Sequence, residues 1–279
     1  MLADYHIHSE FSDDSEYPME EAVKDAVALG LEEICFTEHV DYGVKRDWDD
    51  PRGMAYRHGK YEGVPFANAN YPLYVRKIAE LREKYEGQIS VKLGLEFGLQ
   101  FHTIGEYENL FARYPFDFIL LSIHEIDNQE FWSGEFQNGK TQEECYLRYY
   151  EEMLKIVRNF KNYSVLAHMD LIARYDNEVP FPFRKVKPLV EDILRQVIDD
   201  GKGIELNTSS AQYGVASTPS EDILKLYRDL GGDIITIGSD AHQKARLGSG
   251  ILNARQNLKS LGFRRFCTFD QMKSTFHNL

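Results

Sequence analysis

The chain has 279 residues, of which 28% are charged and 43% hydrophobic, and its 45 acidic and 32 basic side chains give a formal net charge of −13. A chain of this length can bury one large core or two small ones, and its composition is not that of a disordered protein. The acidic excess argues against broad binding to long nucleic acids, which depends on Lys and Arg side chains that neutralise phosphates. A small anionic substrate stays compatible with it, because bound metal ions reverse the potential inside a cleft.

Membrane and secretion signals are not evident in the sequence. Every apolar segment is shorter than the roughly 18 residues that a membrane-spanning helix needs, so we expect no membrane association. Residues 1–8 contain no basic segment followed by an apolar one, and we therefore expect no signal peptide. The three cysteines are too few and too widely spaced for a disulfide framework or a metal knuckle. These features predict a protein of the reducing cytoplasm.

Short apolar segments alternate with amphipathic segments along the chain. The predicted strands are Ala3–His8, Glu33–Thr37, Ser90–Glu96, Asp117–His124, Ser164–His168, Gly203–Asn207 and Asp233–Ser239. The predicted helices are Met19–Leu29, Tyr74–Tyr85, Gly105–Arg113, Gln142–Phe160, Val186–Asp200 and Ser220–Leu230, with a weaker one near Ala254–Leu261. This alternation is typical of a parallel sheet, and about seven units favour closure into a barrel. No linker or repeat divides the chain, so we predict one domain over residues 1–279.

One connection in this pattern is unusually long. Residues 43–70 are polar and rich in Tyr, Gly and Asp. Connections beyond about 12–15 residues without regular structure are usually functional loops or lids. The segment is therefore a candidate cover over a site.

Metal-capable side chains lie at the ends of six of the seven predicted strands. In chain order they are His6 and His8, His39, Glu96, His124, His168, and Asp240 with His242. The carboxyl ends of the strands of a parallel barrel share one rim, where the active sites of this architecture lie. Because side chains alternate along an extended segment, residues two apart, such as His6 and His8, point to the same side.

These ligand types predict a metallohydrolase. Imidazole and carboxylate ligands without cysteine suit zinc, manganese or iron. Two to three ions are needed to use so many ligands, and a carboxylate such as Glu96 can bridge two of them. Closely spaced ions stabilise both the attacking and the leaving oxygen in the hydrolysis of phosphate esters.

The same residues resemble the motifs of a known family. The segment 5–15 (YHIHSEFSDDS) resembles the first motif of the polymerase and histidinol phosphatase (PHP) superfamily. Its later motifs resemble, in the same order, the segments 37–39 (TEH), 94–96 (GLE), 122–124 (SIH), 167–170 (AHMD) and 238–242 (GSDAH). The resemblance extends to about residue 250. It implies an α/β fold, a distorted seven-stranded (β/α) barrel of the TIM type, and a site for three metal ions.

The resemblance also implies roles for individual residues. The implied metal ligands are His6, His8, Asp14, His39, Glu96, His124, His168, Asp240 and His242. One ion takes His6, His8, Glu96 and Asp240; a second takes Glu96, His124 and His168; a third takes an acidic residue of the first motif with His39 and His242. Glu96, as the bridging ligand, and Asp240 are the implied catalytic residues. For the acidic residue of the first motif, the resemblance to the arrangement Phe-Ser-x-Asp-Ser in the histidinol-phosphatase branch points to Asp14, with Asp13 as the alternative.

Two further segments, 168–175 (HMDLIARY) and 205–210 (ELNTSS), look most like the histidinol-phosphatase branch of the superfamily. Arg174 matches the phosphate-contacting arginine of that branch, a role that suits a permanently charged side chain able to bind two phosphate oxygens. The sequence departs from the branch at Gln212, where a second phosphate-binding arginine is usual. Lys244 and Arg246 are candidates to replace that arginine.

The predicted activity is the hydrolysis of a small phosphorylated substrate, L-histidinol phosphate, to L-histidinol and phosphate in histidine biosynthesis. A second interpretation is a phosphoesterase that acts on another small phosphomonoester or on a nucleotide phosphodiester. A third is a metal-binding scaffold that acts only through a partner protein. A scaffold is expected to have lost ligands, whereas all nine implied ligands are present here. The sequence leaves the oligomeric state open.

Overall fold

The computed structural model describes residues 1–53, 55–56, 65–176, 180–215 and 217–279. The strands are β1 (Ala3–Ile7), β2 (Glu33–Val40), β3 (Ala55–Tyr56), β4 (Pro65–Phe66), β5 (Ser90–Gly98), β6 (Phe118–Ser122), β7 (Glu125–Ile126), β8 (Gln129–Glu130), β9 (Val165–Leu166), β10 (Gly203–Asn207), β11 (Ile235–Gly238), β12 (Arg265–Asp270) and β13 (Lys273–Asn278). The α-helices are α1 (Met19–Ala28), α2 (Tyr71–Lys84), α3 (Ile104–Phe111), α4 (Gln142–Asn159), α5 (Phe183–Asp199), α6 (Glu221–Asp229) and α7 (Ile251–Ser260).

Seven parallel strands form the central sheet, in the spatial order β1-β2-β5-β6-β9-β10-β11. Its first and last strands meet at their carboxyl ends. The backbone N–H of His8 donates to Ala241 O at 2.9 Å, and the N–H of Ala241 donates to His6 O at 3.3 Å. The sheet is therefore a nearly closed barrel, and this confirms the predicted fold class.

The buried Asp4 stabilises the same seam further down. Its carboxylate accepts hydrogen bonds from the backbone N–H groups of Ser239 and Gly248, each at 2.9 Å. Here a side chain provides acceptors where the strands no longer pair, because buried N–H groups require a partner.

The predicted strands and helices are confirmed in order, but most of their ends differ from the prediction. Strands β6 and β9 end at Ser122 and Leu166, so His124 and His168 follow these strands instead of ending them. Strands β2 and β5 differ in the opposite direction. We placed His39 after the second strand and ended the third at Glu96. Instead, β2 and β5 pair as far as Val40 and Phe97, with His39 directly opposite Glu96. Both side chains therefore lie within paired strands, where backbone hydrogen bonds on two sides restrict their positions.

The helices pack their apolar faces on the barrel. Helix α4 is an example of how local sequence forms these helices. Thr141 and Glu144 form a capping box at its start, and its inner face buries Tyr149, Met153 and Ile156. Across the described residues, no helix has both the length and the low polarity that crossing a bilayer requires. Of the long connection 43–70, residues 54 and 57–64 lie outside the described residues, so its proposed role as a cover stays a prediction.

A carboxyl-terminal hairpin of β12 and β13 is absent from our prediction. Its turn residues, Gln271 and Met272, have φ angles of 47° and 64°. Such turns usually contain Asn or Gly, so the sequence carries no hairpin signal here. The hairpin covers the amino-terminal end of the barrel: the N–H of Phe269 donates to the Tyr5 hydroxyl at 2.7 Å, and its ring lies 5.1 Å from that of Phe118.

We expect Phe269→Ala to lower the free energy of unfolding by about 3–5 kcal/mol, the usual cost of removing a buried phenylalanine side chain. Phe269 is 4% exposed, whereas Phe276 on the partner strand is 37% exposed. Phe276→Ala is the matched control, with an expected loss below about 1 kcal/mol. Urea unfolding of the two variants measures the difference in the free energy of unfolding. Equal decreases in the two variants would show that Phe269 does not stabilise the amino-terminal end of the barrel.

Candidate active site

A cavity of about 460 Å³ opens at the carboxyl ends of the barrel strands. Among the predicted site residues, its wall contains Asp14, His39, Glu96, His124, His168, Arg174, Asp240 and His242. His6 and His8 lie directly beneath it, fully buried at the end of β1. The structure thus brings all ten predicted site residues to one place.

Glu96 occupies the centre of this group. Five histidines direct a ring nitrogen at its carboxylate: His168 Nε2 at 2.8 Å, His124 Nε2 at 3.1 Å, His6 Nε2 at 3.1 Å, His39 Nδ1 at 3.2 Å and His8 Nε2 at 3.4 Å. Although burial alone would raise the pKa of Glu96, the imidazoles of His6, His124 and His39 hold it well below its usual value. The carboxylate is therefore ionised, with its two oxygens facing different histidines.

Asp240 lies beside this centre in a left-handed backbone conformation, with a φ of 56°. Non-glycine residues rarely adopt this conformation, and those that do are concentrated at functional sites. One carboxylate oxygen lies 3.6 Å from both His6 Nε2 and His8 Nε2. The other accepts a hydrogen bond from Arg174 Nη1 at 3.2 Å.

The structure distinguishes the two acidic residues of the first motif. Asp14 Oδ2 lies 3.4 Å from His39 Nε2 and 3.3 Å from His242 Nε2. Asp13 points elsewhere, with Oδ1 2.6 Å from the buried Lys45 ammonium. Of the two, only Asp14 faces the predicted ligands.

Carboxylates that our sequence analysis did not assign to the site orient two of the histidines. Glu205 Oε1 lies 2.6 Å from His6 Nδ1, and Asp41 Oδ1 lies 2.7 Å from His124 Nδ1. A Cβ at Gly98 would overlap Asp41 Oδ1, so glycine leaves room for the second pair. Such partners hold a metal-binding imidazole in one tautomer and orientation. The signals for them were the position of Asp41 just after β2 and of Glu205 within β10.

The donor set fits divalent metal ions. His8 Nε2 and His39 Nδ1 are buried and, although they lie 3.4 and 3.2 Å from Glu96, neither forms a hydrogen bond with any described residue. Such an arrangement is costly unless a ligand satisfies them. In each of two groups, His6–His8–Glu96 and His39–Glu96–His124, one ligand atom per residue lies within 4.8 Å of the others. Imidazole nitrogens with carboxylate oxygens, and no thiolate, suit zinc, manganese or iron.

Arg174 forms the edge of the cavity nearest Asp240. Its guanidinium donates to Ser209 Oγ at 2.8 Å and to Asn207 Oδ1 at 3.2 Å, and the ring of Tyr213 lies 4.6 Å from its central carbon. The Nε–H is buried and has no partner among the described residues. A fixed guanidinium with a free donor is suited to an anionic oxygen.

The candidates for a second phosphate ligand, Gln212, Lys244 and Arg246, are not among the residues that line the cavity. Gln212 is exposed, and its neighbour Tyr213 lines the cavity instead. The side chain of Lys244 is 76% exposed and pairs with Asp25 at 2.6 Å, so it does not replace an arginine in the cavity. The second cation of the cavity wall is Lys45, which our sequence analysis missed.

Similarity to known proteins agrees with this geometry. Residues 4–209 match the PHP domain family. A histidinol-phosphatase of Lactococcus lactis subsp. lactis is 34% identical over 273 residues, covering 97% of this chain and 95% of that protein. A crystal structure of the histidinol phosphate phosphatase from that organism, complexed with zinc, L-histidinol and phosphate, superposes with a TM-score of 0.83 at 34% identity over 98% of both chains.

A structure from Listeria monocytogenes, with a TM-score of 0.72 over 90% of this chain and 99% of the other, shares the fold at 18% identity. The family match covers well over half of the chain, and the L. lactis relative is similar along almost its full length. The motifs that suggested the PHP superfamily are therefore confirmed as a family relationship, and the chain belongs to the PHP domain family.

Proposed function

We propose that the protein is a metal-dependent phosphomonoesterase that hydrolyses L-histidinol phosphate to L-histidinol and phosphate, a step of histidine biosynthesis. The observation that carries the proposal is the convergence of five histidine nitrogens on Glu96 at the carboxyl rim, with Arg174 at the edge of the same cavity. The activity and the ligands named for the L. lactis relative support the substrate.

The ligand assignment is part of the proposal. The nine ligands are His6, His8, Asp14, His39, Glu96, His124, His168, Asp240 and His242. They would hold two to three divalent ions, zinc, manganese or iron, and Glu96 would be a ligand to two of them. The zinc named with the L. lactis structure and the unpartnered nitrogens of His8 and His39 support this assignment.

When bound, such ions supply a Lewis acid for the phosphoryl oxygens and a hydroxide nucleophile at neutral pH. The side chains of the protein itself position the phosphoryl group and supply positive charge for its oxygens. Arg174 binds phosphate oxygens through its free Nε–H, and its bonds to Asp240, Asn207 and Ser209 hold the guanidinium rigid. A rigid donor array loses little entropy when it orients the phosphoryl group for attack.

A second candidate substrate is another small phosphomonoester or a nucleotide phosphodiester. The observation that favours it is Gln212, an uncharged and exposed residue where the histidinol-phosphatase branch has an arginine. A cavity with Arg174 as its phosphate-facing guanidinium is expected to bind phosphate less tightly than one with two.

The proposal predicts activity that follows the metal content. Protein treated with a chelator is expected to lose at least 99% of its turnover of L-histidinol phosphate and to regain it with zinc or manganese. Its thermal midpoint is expected to fall by several degrees, since ions that bind the folded state stabilise it by mass action. Metal analysis, phosphate release and calorimetry on the same samples measure these effects.

The substrate panel of that experiment contains L-histidinol phosphate, a nucleoside monophosphate, 4-nitrophenyl phosphate and bis(4-nitrophenyl) phosphate. A preference of at least a hundredfold in kcat/KM for L-histidinol phosphate is expected. If the diester is hydrolysed best, the phosphodiesterase interpretation replaces the proposal. Full activity without metal would contradict both.

We also infer that residues 1–279 form one metallohydrolase domain and that it works in the cytoplasm. The barrel strands come from both ends of the chain, from β1 to β11. All three cysteines are buried free thiols, as is usual in a reducing compartment.

A further inference from the structure

The β7–β8 hairpin places two carboxylates side by side at the cavity. Glu125 and Glu130 are directly opposite each other across the hairpin, and both line the cavity wall. Its two turn residues, Asp127 and Asn128, have φ angles of 53° and 59°, as in the tight type I′ turn. The tight turn therefore fixes the positions of both glutamates in the cavity wall.

The position of this hairpin is held by the barrel. The backbone N–H of Asn128 donates to Gln100 Oε1 at 2.7 Å, and Gln100 Nε2 donates back to Asn128 Oδ1 at 3.0 Å. Gln100 is fully buried just after β5. These two hydrogen bonds therefore fix the hairpin, and with it Glu125 and Glu130, relative to the barrel.

Glu125 has an unused acceptor. The residue is only 1% exposed, yet it forms part of the cavity wall, and its Oε1 is buried without a hydrogen-bond partner among the residues that the structure describes. Lys45, the cation of this wall, is already engaged by Asp13 at 2.6 Å and Asp41 at 2.9 Å. A buried acceptor in this state is satisfied when a bound molecule donates an N–H to it.

An aromatic side chain lines the same cavity as this acceptor. Trp132 follows the hairpin, lines the same cavity and is 40% exposed, which is unusual for so large an apolar side chain. Its neighbour Phe131 is buried, with its ring 5.6 Å from that of Tyr149, and fixes this segment to α4. An indole ring binds flat aromatic rings and organic cations.

Glu125 and Arg174 follow neighbouring strands of the barrel, β6 and β9. Arg174 follows β9, and its partners Asn207 and Asp240 belong to the ends of β10 and β11. Glu125 follows β6, and Asp41, with which it forms a group around His124, follows β2. In the ring of strands these two groups adjoin, with Glu96 on β5 between β2 and β6. The cavity wall therefore offers the Arg174 guanidinium from one group of strands and the Glu125 carboxyl group from the other.

We propose that Glu125 and Trp132 form a subsite for the nitrogen-bearing end of the substrate, the part that leaves as the alcohol. Glu125 accepts a hydrogen bond from a protonated amine or an imidazole N–H, and Trp132 packs on the ring or the cation. This deepens the proposed function and rests on it for the identity of the ester, while the chemistry recognised is that of any nitrogen-bearing phosphomonoester. Glu125 and Trp132 are thus specificity-determining residues.

The test compares Glu125→Gln and Trp132→Leu with Glu135→Gln, a control at an exposed glutamate on the same loop. Each variant is assayed with L-histidinol phosphate and with 4-nitrophenyl phosphate, which has no amine, and binding of L-histidinol is measured by calorimetry. For Glu125→Gln we expect the ratio of the two kcat/KM values to fall at least tenfold and L-histidinol to bind at least tenfold more weakly. For Trp132→Leu we expect KM for L-histidinol phosphate to rise about fivefold with little change in kcat. Glu135→Gln is expected to match the wild type.

Metal content is measured for every variant, because Glu125 is next to His124. An equal loss on both esters together with lost metal would show that Glu125 supports the metal ligands and would overturn the subsite. Unchanged selectivity and unchanged L-histidinol binding would overturn it as well.

Failure of the proposed function has a different signature. If the wild type does not hydrolyse L-histidinol phosphate, the same variants are compared on phosphoethanolamine and glycerol 2-phosphate, which differ in the amine. A wild-type preference for the amine that Glu125→Gln abolishes would support the subsite without the named substrate. Absence of any such preference would overturn the subsite together with that substrate.

Discussion

Glu96→Gln is expected to lower kcat on L-histidinol phosphate at least about 10³-fold, equivalent to roughly 4 kcal/mol of transition-state stabilisation. The carboxylate is buried, lies within 3.4 Å of five histidine nitrogens and accepts a hydrogen bond from Ser122 Oγ at 2.6 Å. An amide of the same shape carries no charge and offers one acceptor oxygen in place of two. Metal content is expected to fall by at least one ion per chain.

Steady-state kinetics, metal analysis and thermal unfolding on one preparation separate the causes. The matched control is Glu108→Gln, at an exposed position of α3, where kinetics and metal content are expected to match the wild type. If folded Glu96→Gln protein keeps its metal and more than a tenth of its turnover, Glu96 does not hold two ions together.

Arg174→Met is expected to lower kcat/KM for L-histidinol phosphate about 10- to 150-fold, because a charge-assisted hydrogen bond is worth about 1.5–3 kcal/mol. Most of the loss is expected in KM, since the phosphate carries its charge in the bound ground state as well as in the transition state. The measurement is initial rates over a range of substrate concentrations, together with the inhibition constant of inorganic phosphate, which is expected to rise in parallel.

Two further variants sharpen this result. Arg174→Lys keeps the charge but not the planar array that reaches Asp240, Asn207 and Ser209, so we expect an intermediate loss. Arg184→Met, at an exposed position of α5, is the control and is expected to match the wild type. An unchanged KM and phosphate inhibition constant in Arg174→Met would place the phosphate elsewhere, with Lys45 as the next cation of the wall.

The hydrophobic periodicity of this chain predicted a parallel sheet and favoured its closure into a barrel, and the resemblance to the PHP superfamily implied the seven-stranded form. Its apolar segments and helix starts are local signals, and parallel strands must end on one rim whatever their register. The positions of His6, His124 and Asp240 relative to those strand ends therefore predicted their convergence. The resemblance to the PHP motifs then implied which ligands would bind each metal ion.

Other features depend on contacts between distant segments. The sequence left Asp13 and Asp14 as alternatives, and the structure separates them because Lys45, from a different loop, engages Asp13. Lys244 was a candidate for the cavity, but its pairing with Asp25 holds it outside. The sequence shows that Lys45 and Lys244 are charged, but it does not show which carboxylate each flexible side chain contacts in the folded protein.

The part that only the tertiary structure decided is the wall around the predicted metal ligands. The support of His6 by Glu205, the support of His124 by Asp41 and the ion pair of Lys45 with Asp13 each join segments far apart in the chain. Such contacts leave no periodic trace, because a single side chain that meets a distant partner changes neither the hydrophobic pattern nor the helix and strand signals around it. The sequence by itself therefore determined the barrel and the ligand-bearing strand ends, and packing decided which other side chains shape the cavity.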